Sequence, residues 1–363
     1  MSDKKYFGPL FLVFSVLLSC KQQPVERHVF KFEDLPEPVF LQGEKQDYPG
    51  ITFPSKIHFT GDYLIVSERK TVKNDKIHIL DPKNKKYVSS KGVDGIGPSE
   101  ITQVEQIESL QDPDEFWTYD LEQLLFSKFK ISDPTKLAHE QIRIKESVVF
   151  MTKSTWASPR SMLGNMVDGW TKYIELSVSG DTLAYFGNWK EHLIGRKLPE
   201  GLKPSSIDAN LASNLHRGVL KGNIHNRKFV LAGSTVDYFD IIDLENQSYK
   251  TIYGPFDQIP EFTITYSMGY QMPGFNLTEL KTQYLDVFVG KESFFLLHSN
   301  KNFRKWIDSP EPDRIFEFSF EGKPLSHFVL VNHKLSAFTF DESSRKFYGL
   351  SVDENPNVVE FHY

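Results

Sequence analysis

Few residues in this 363-residue chain could do chemistry, and their spacing decides what each could do. The stretch Lys91-Gly92-Val93-Asp94-Gly95-Ile96-Gly97-Pro98-Ser99-Glu100 could offer backbone N–H groups to a phosphate. It lacks the Lys-Ser/Thr ending of a P-loop, and no helical pattern follows it. Three glycines free to take positive φ and one proline of fixed φ predict a compact corner instead. The eleven histidines are scattered. His216 and His225 have neither cysteine partners nor an i,i+4 spacing, which predicts surface or strand-end imidazoles. No Gly-x-Ser-x-Gly elbow is present to anchor a serine hydrolase. Asp112-Pro113-Asp114-Glu115 lacks the alternating spacing of a calcium loop and reads as a solvated hairpin loop. No catalytic residue, metal site or cofactor is assigned.

Aromatic residues make the better case, and it is a case for binding. Thr265 to Phe275 reads as a long loop punctuated by Gly269, Pro273 and Gly274, carrying Tyr266, Tyr270, Met268, Met272 and Phe275. Arg304, Lys305 and Trp306 form a second loop of cations and an aromatic, and Trp156 with Arg160 a third. Loops on a rigid scaffold are where binding residues concentrate, and aromatic faces suit sugar rings, apolar patches or a protein partner. The expected ligand site is therefore Tyr266, Tyr270, Phe275, Arg304 and Trp306. The competing reading packs these rings beneath their own loops.

Cys20 is the only cysteine. Lys4 and Lys5 precede an apolar run from Phe7 to Ser19, too short for a bilayer that needs about 20 residues but suited to a signal-peptide core. Leu17-Leu18-Ser19-Cys20 resembles a bacterial lipobox, in which the cysteine is acylated and becomes the new N-terminus. Residues 1–19 are thus expected to be a lipoprotein signal peptide and 20–27 a lipidated polar tether. Lys21, in place of an inner-membrane-retention aspartate, points to the outer membrane. With Cys20 acylated, no thiol is left for disulfides, thiolate metal sites or cysteine nucleophiles. The full chain carries a net charge of −6, and that mild acidity without a basic stripe argues against nucleic acid.

The elements that must position these residues are strands. Phe (30) and Tyr (15) are abundant, a strand-favouring bias. Alternating runs joined by Asp, Asn or Gly turns recur six times. They start near Tyr63 (with Ile77–Asp81), Phe116, Tyr173, Tyr238, Ile315 and Ala337. A single such unit cannot bury both faces of its sheet, whereas six arranged radially can. The fold expected for residues 28–363 is therefore all-β: one six-bladed propeller of four-stranded antiparallel blades with long loops, about 57 residues per blade. Val29–Phe32 is expected to complete the last blade. Short helices are expected within Asp208–Leu220 and starting at Asn276.

The lipobox, the turn Gly95-Ile96-Gly97-Pro98-Ser99-Glu100 and the ending from Ile315 to Tyr348 together resemble the TolB-like six-bladed propeller lipoproteins of Bacteroidetes. Those proteins typically have a glycine where Ser99 stands. Their last blade has an "I-x-x-F-x-x-x-G-x-P-L" strand pair and then an aspartate-containing hairpin. The resemblance implies the fold and an envelope address. It also gives Asp181-Thr182-Leu183 a second meaning beside that of a hairpin turn, because Bacteroidetes attach O-glycans at Asp-Ser/Thr-aliphatic sites; Thr182 would be the acceptor. The expected function is a lipid-anchored, non-catalytic, monomeric envelope protein that binds a protein or glycan on one propeller face. The alternative is a lyase or hydrolase at the mouth of the channel.

Overall fold

A computed structural model describes residues 27–144, 151–302 and 304–363. Residues 1–19 and Cys20 lie outside that range. Six sheets form six blades. Blade one is Pro54–Thr60, Tyr63–Glu68, Ile77–Asp81 and Lys86–Lys91; blade two is Gln106–Glu108, Glu115–Asp120, Leu125–Lys130 and Glu140–Arg143. Blade three runs from Met151–Ser158 to Thr182–Asn188, blade four from Gly218–Asn223 to Ser248–Tyr253, and blade five from Lys281–Val289 to Pro324–Leu330. Blade six has three strands from this end of the chain, Leu335–Asp341, Lys346–Ser351 and Val358–His362. The first strand of each blade lies innermost, and these inner strands touch in a ring in which the sixth meets the first. Each of the six hairpins read from the sequence falls in a different blade.

The ring is closed by a short strand other than the Val29–Phe32 run expected to close it. Gly43–Lys45 pairs antiparallel with Val358–His362 and supplies the fourth strand of blade six. The residues expected to do this do something different: His28–Val29 lies parallel against the outer strand of blade four. Phe30 explains the difference, because its ring is buried between blades four and five, 5.2 Å from the Phe318 ring and 6.2 Å from that of Phe239. Val39–Leu41 then adds parallel to the outer strand of blade five. The N-terminal segment is thus a strap across three consecutive blades.

A repeated turn shapes the hairpins. Asp81, Asp120, Asn223, Asp243 and Asp341 each accept a hydrogen bond from a backbone N–H two or three residues on. In each case the fourth residue on takes positive φ: Lys85, Leu124, Arg227, Gln247 and Arg345. The short Asx side chain replaces a backbone partner and makes the left-handed residue tolerable without glycine. Between blades the chain packs apolar side chains in six buried clusters, one per interface. Phenylalanines fill them in tilted pairs, such as Phe239 with Phe318 at 4.8 Å and Phe340 with Phe347 at 4.6 Å.

The glycine-rich corner closes on itself. The Gly97 N–H donates to the Glu100 carboxylate at 2.8 Å, and a Cβ at Gly95 or Gly97 would collide with that carboxylate. A phosphate would find its place already taken by Glu100. Ser99 stands at φ +65, the conformation for which glycine is the usual choice.

The short helix is Ala209–Leu215, capped by the Asp208 side chain at the Leu211 N–H. Val219 belongs to the inner strand of blade four instead. Asn276 caps a single turn and no helix follows.

Candidate functional site

Two concavities on the ring bring chemistry-bearing residues together, and they lie at opposite ends of the inner strands. At the face where those strands end, the lumen narrows to about 220 Å³ lined from all six blades. Its polar lining includes His58 of blade one, Glu108 of blade two, Lys221 of blade four and Thr339 of blade six, backed by Thr155 of blade three and Asp286 of blade five. They join blade to blade. His58 meets the Ser109 hydroxyl at 3.0 Å, and the Glu108 carboxyl accepts from the Thr155 hydroxyl and from the Trp156 N–H at 3.2 Å. Lys221 pairs with Asp286 at 2.7 Å, Asp286 accepts from the Phe338 N–H, and Thr339 accepts from the Phe59 N–H. Enclosure pushes the Glu108 carboxyl up to about 7, against the pull of its donors and of Lys221. Burial and the Lys221 charge press His58 down to about 3, so its imidazole is neutral. His58, Glu108, Lys221 and Asp286 each already have a neighbour as partner.

At the opposite face, where the inner strands begin, a cleft of about 360 Å³ opens between blades four and five. Its wall is Pro255, Phe256 and Pro260, and its polar lining includes Glu261, Asn276, Glu279, Lys281, Gln283 and Asn300. The Phe256 ring lies flat on His298, with centroids 6.2 Å apart and an interplanar angle of 12°. Its backbone N–H is held by Asp237, whose carboxyl burial pushes up to about 6. Gln283 is 4% exposed, and its amide oxygen has no hydrogen-bond partner among the described residues. The amide oxygen of Asn300 is likewise unpartnered among them, and Asn300 is held at φ +50. Leaving a buried acceptor unmatched costs about 1–3 kcal/mol.

The residues singled out from sequence gather only in part. The stretch expected to be an irregular loop is a regular hairpin, Phe262–Ser267 paired with Tyr270–Phe275 through a Met268-Gly269 turn with both residues at positive φ. Pro273 is tolerated because it sits opposite Ile264 in an isolated two-stranded sheet, where a missing N–H breaks no interior ladder. The hairpin rises from the rim of the cleft, since Glu261 and Asn276, at its two feet, both line it. Tyr266 is 69% exposed, Met268 97% and Tyr270 55%. None of the residues from Phe262 to Phe275 is charged. Phe275 turns inward, half-buried against Phe262 and the cluster between blades three and four.

Arg304 is exposed, and Trp306 is half-buried with its indole N–H directed at Asp313, 3.3 Å away. Both follow Asn300 on the blade-five segment. That segment is tied to the hairpin's base by Asn302, whose amide donates to the Thr278 carbonyl at 2.6 Å. Thr182 is exposed at the start of the outer strand of blade three. Trp156 is no loop residue: it is buried in the inner strand of blade three, 4.8 Å from Trp117. His216 is no surface residue either; it is fully buried and lies 4.6 Å from the His192 ring. Sequence reasoning missed Phe256, Gln283 and Asn300. The two flanking prolines at 255 and 260 are the one local mark of that wall.

Among the described residues no group of three or more His, Cys, Asp or Glu side chains could hold a metal ion, and no helix is long and apolar enough to cross a membrane.

Comparison with known proteins agrees with this geometry. The profile of the family described as TolB-like 6-blade propeller-like matches residues 34–343. No curated protein matches the chain. Among solved structures, a putative exported protein from Bacteroides fragilis superposes with a TM-score of 0.53 at 10% identity, covering 93% of this chain and 98% of that one. A member of the duf4221 family from Bacteroides vulgatus gives 0.53 at 10% identity over 88% of this chain and 96% of that one. At such identity these likenesses concern the fold alone.

Proposed function

The chain belongs to the TolB-like family of six-bladed propellers, and from that premise we propose that it is a non-catalytic binding and scaffold protein of the cell envelope. In this reading Cys20 carries the lipid that holds it to the outer membrane. The face where the inner strands begin recruits a protein or a glycan. The observation that carries the reading is the uncharged hairpin, which holds Tyr266, Met268 and Tyr270 out into solvent beside a cleft. Tyrosine supplies large contact area at low entropic cost, and a monomer gains nothing in stability from displaying it. A putative exported protein among the structures of the same fold agrees with an envelope address.

The alternative, a lyase or hydrolase at the lumen, draws on Glu108 and its raised pKa. Its weakness is that His58, Glu108, Lys221 and Asp286 each already have a hydrogen-bond or ion-pair partner. The binding reading is tested by capture from envelope extract with the wild-type protein and Tyr270→Ala. A central binding aromatic is worth ~2 kcal/mol, about thirtyfold in affinity, when truncated. The expected result is weakened capture at an unchanged melting temperature. Capture that is indifferent to Tyr270, or a protein that melts several degrees early and still binds, would remove the hairpin from the binding face.

A further inference from the structure

We infer that the free edge of the hairpin strand Phe262–Ser267 pairs antiparallel with the same strand of a second copy of this chain, giving one four-stranded sheet across a twofold axis at Thr265. This goes beyond the binding reading. It uses the main chain of the first strand and leaves Tyr270, on the second, to that reading's partner. A two-residue turn with both residues at positive φ makes Ser267 and Tyr270, which flank it, a hydrogen-bonded pair. Counting back by twos, Thr265 with Met272 and Thr263 with Gly274 are bonded pairs as well. Phe262, Ile264 and Tyr266 therefore turn their N–H and C=O groups away from the ribbon. Pro273, which has no N–H to give, stands opposite Ile264, as this parity requires.

The two edges of the ribbon differ. The second strand's edge is closed: Pro273 offers no donor, the helix Ala209–Leu215 packs beside it, and Gln271 accepts from the Asp208 N–H at 3.1 Å. The first strand's edge is open. No described strand lies beside it, and the outward N–H and C=O groups of Ile264 and Tyr266 have no partner among the described residues. Proteins blunt such edges with charge, proline or a bulge. Phe262–Ser267 has none of these, and five of its six residues are β-branched or aromatic.

A second copy is the occupant that leaves no edge exposed. Each hairpin brings one open and one closed edge, so pairing stops at four strands, whereas a foreign strand would bare an edge of its own. Charge agrees. The chain carries −6 overall, which sets its copies against one another, but Phe262 to Phe275 carries no charge, so contact there brings no like charges together. The register follows from burial. Phe262 is 6% exposed at the base, which leaves Ile264 and Tyr266 to do the pairing. Ile264 of each copy then exchanges bonds with Tyr266 of the other, and Thr265 meets its own copy; aromatic with β-branched and Thr with Thr are favourable cross-strand pairs. Met268, 97% exposed at the tip, comes level with Phe262 at the other copy's rim.

The test is disulfide trapping of the full chain in intact cells, with Thr265→Cys as the probe and Thr263→Cys, at another exposed position of the strand, as its control. Across the twofold axis the two residue-265 Cα atoms lie about 4.5 Å apart, within the span of a disulfide, whereas residue 263 faces Ser267 instead of itself. Thr265→Cys should therefore run as a reducible dimer on a non-reducing gel, and Thr263→Cys and the wild type, whose one cysteine is Cys20, should not. Adding Tyr266→Pro removes one outward N–H from each copy and spares the hairpin's own bonds. It should weaken association about thirtyfold, the worth of two hydrogen bonds, while adding Tyr266→Ala, which keeps the N–H, should preserve the cross-link. Thermal unfolding checks that both variants fold. No cross-link at position 265, an equal one at position 263, or one that survives Tyr266→Pro would each overturn the inference. If Thr265→Cys stays monomeric while Tyr266→Pro, unlike Tyr266→Ala, abolishes capture from envelope extract, the edge takes a strand of another protein and the second-copy assignment falls. Failure here stays distinct from failure of the binding reading, since Tyr270-dependent capture without any cross-link leaves that reading standing.

Discussion

Glu108 gives the most exacting test of the lumen's electrostatics. Its carboxyl is moved from an ordinary 4.5 to about 7, chiefly by enclosure. An acid whose folded-state pKa lies above its unfolded value makes the protein less stable as it ionises. Between those two values the unfolded chain has lost the proton and the folded one keeps it, so stability falls as pH rises and levels off above about 7. At 1.36 kcal/mol per pH unit the whole effect is ~3 kcal/mol, a ceiling because the carboxyl still touches the lumen. Most of it, about 2–3 kcal/mol, should appear between about pH 5 and pH 8.5. Glu108→Gln removes the proton and leaves a group of the same shape between Thr155, Gln106 and the Trp156 N–H. Urea unfolding of both proteins across that range isolates the residue, because every other titrating group cancels in the difference. The expected result is that the variant, whatever its stability at low pH, gains on the wild type by about 2–3 kcal/mol as pH rises. A difference that stays flat with pH would mean that Glu108 is ordinarily solvated and that the ring described here is open.

Three further outcomes are expected. Lys172 is fully buried, paired with Asp240 and surrounded by the rings of Trp189 and Tyr238 at 4.7 and 5.1 Å; Lys172→Met should cost about 3–5 kcal/mol in chemical denaturation, and adding Asp240→Asn should recover most of it. A Cβ at Gly43 would come within 2.6 Å of the Phe361 and Val359 side chains, so Gly43→Val should destabilise by about 1–3 kcal/mol and expose the strap to limited proteolysis. Metabolic labelling with a palmitate analogue should mark the wild-type protein and leave Cys20→Ala unlabelled; a labelled variant would refute acylation at that residue.

The fold was legible because its signals are local. Asp81, Asp243 and Asp341 announce their turns with side chains that reach only two or three residues, and the alternation on either side fixes the strands. The corner at Gly92–Glu100 was legible for the same reason. Ring closure was not. Val29–Phe32 has the strand-like pattern and Gly43-Glu44-Lys45 has none, yet the fit of Phe30 between blades four and five holds the first away from blade six and leaves the second to close it. The hairpin at Phe262–Phe275 was misjudged because Gly269, Pro273 and Gly274 are breakers in a helix or a central strand, and harmless in an isolated ribbon. Tyr266 and Tyr270 could be picked out by type. Gln283 and Asn300 could not, because what marks them is the lack of a partner in three dimensions, which no spacing encodes.

The strap also sets how the molecule bears load. A pull on the chain ahead of Arg27 meets first the Arg27–Asp257 ion pair with the pairing of His28 and Val29 and the buried Phe30 ring, then three residues on blade five, and last the closing strand Gly43–Lys45. These contacts are loaded one after another, each without the support of the others, so the weakest yields first while the closure stays shielded behind two sacrificial joints. A propeller tethered by that end can give slack under tension, some ten residues of it between Val29 and Val39 at about 3.3–3.6 Å each, before its ring begins to open.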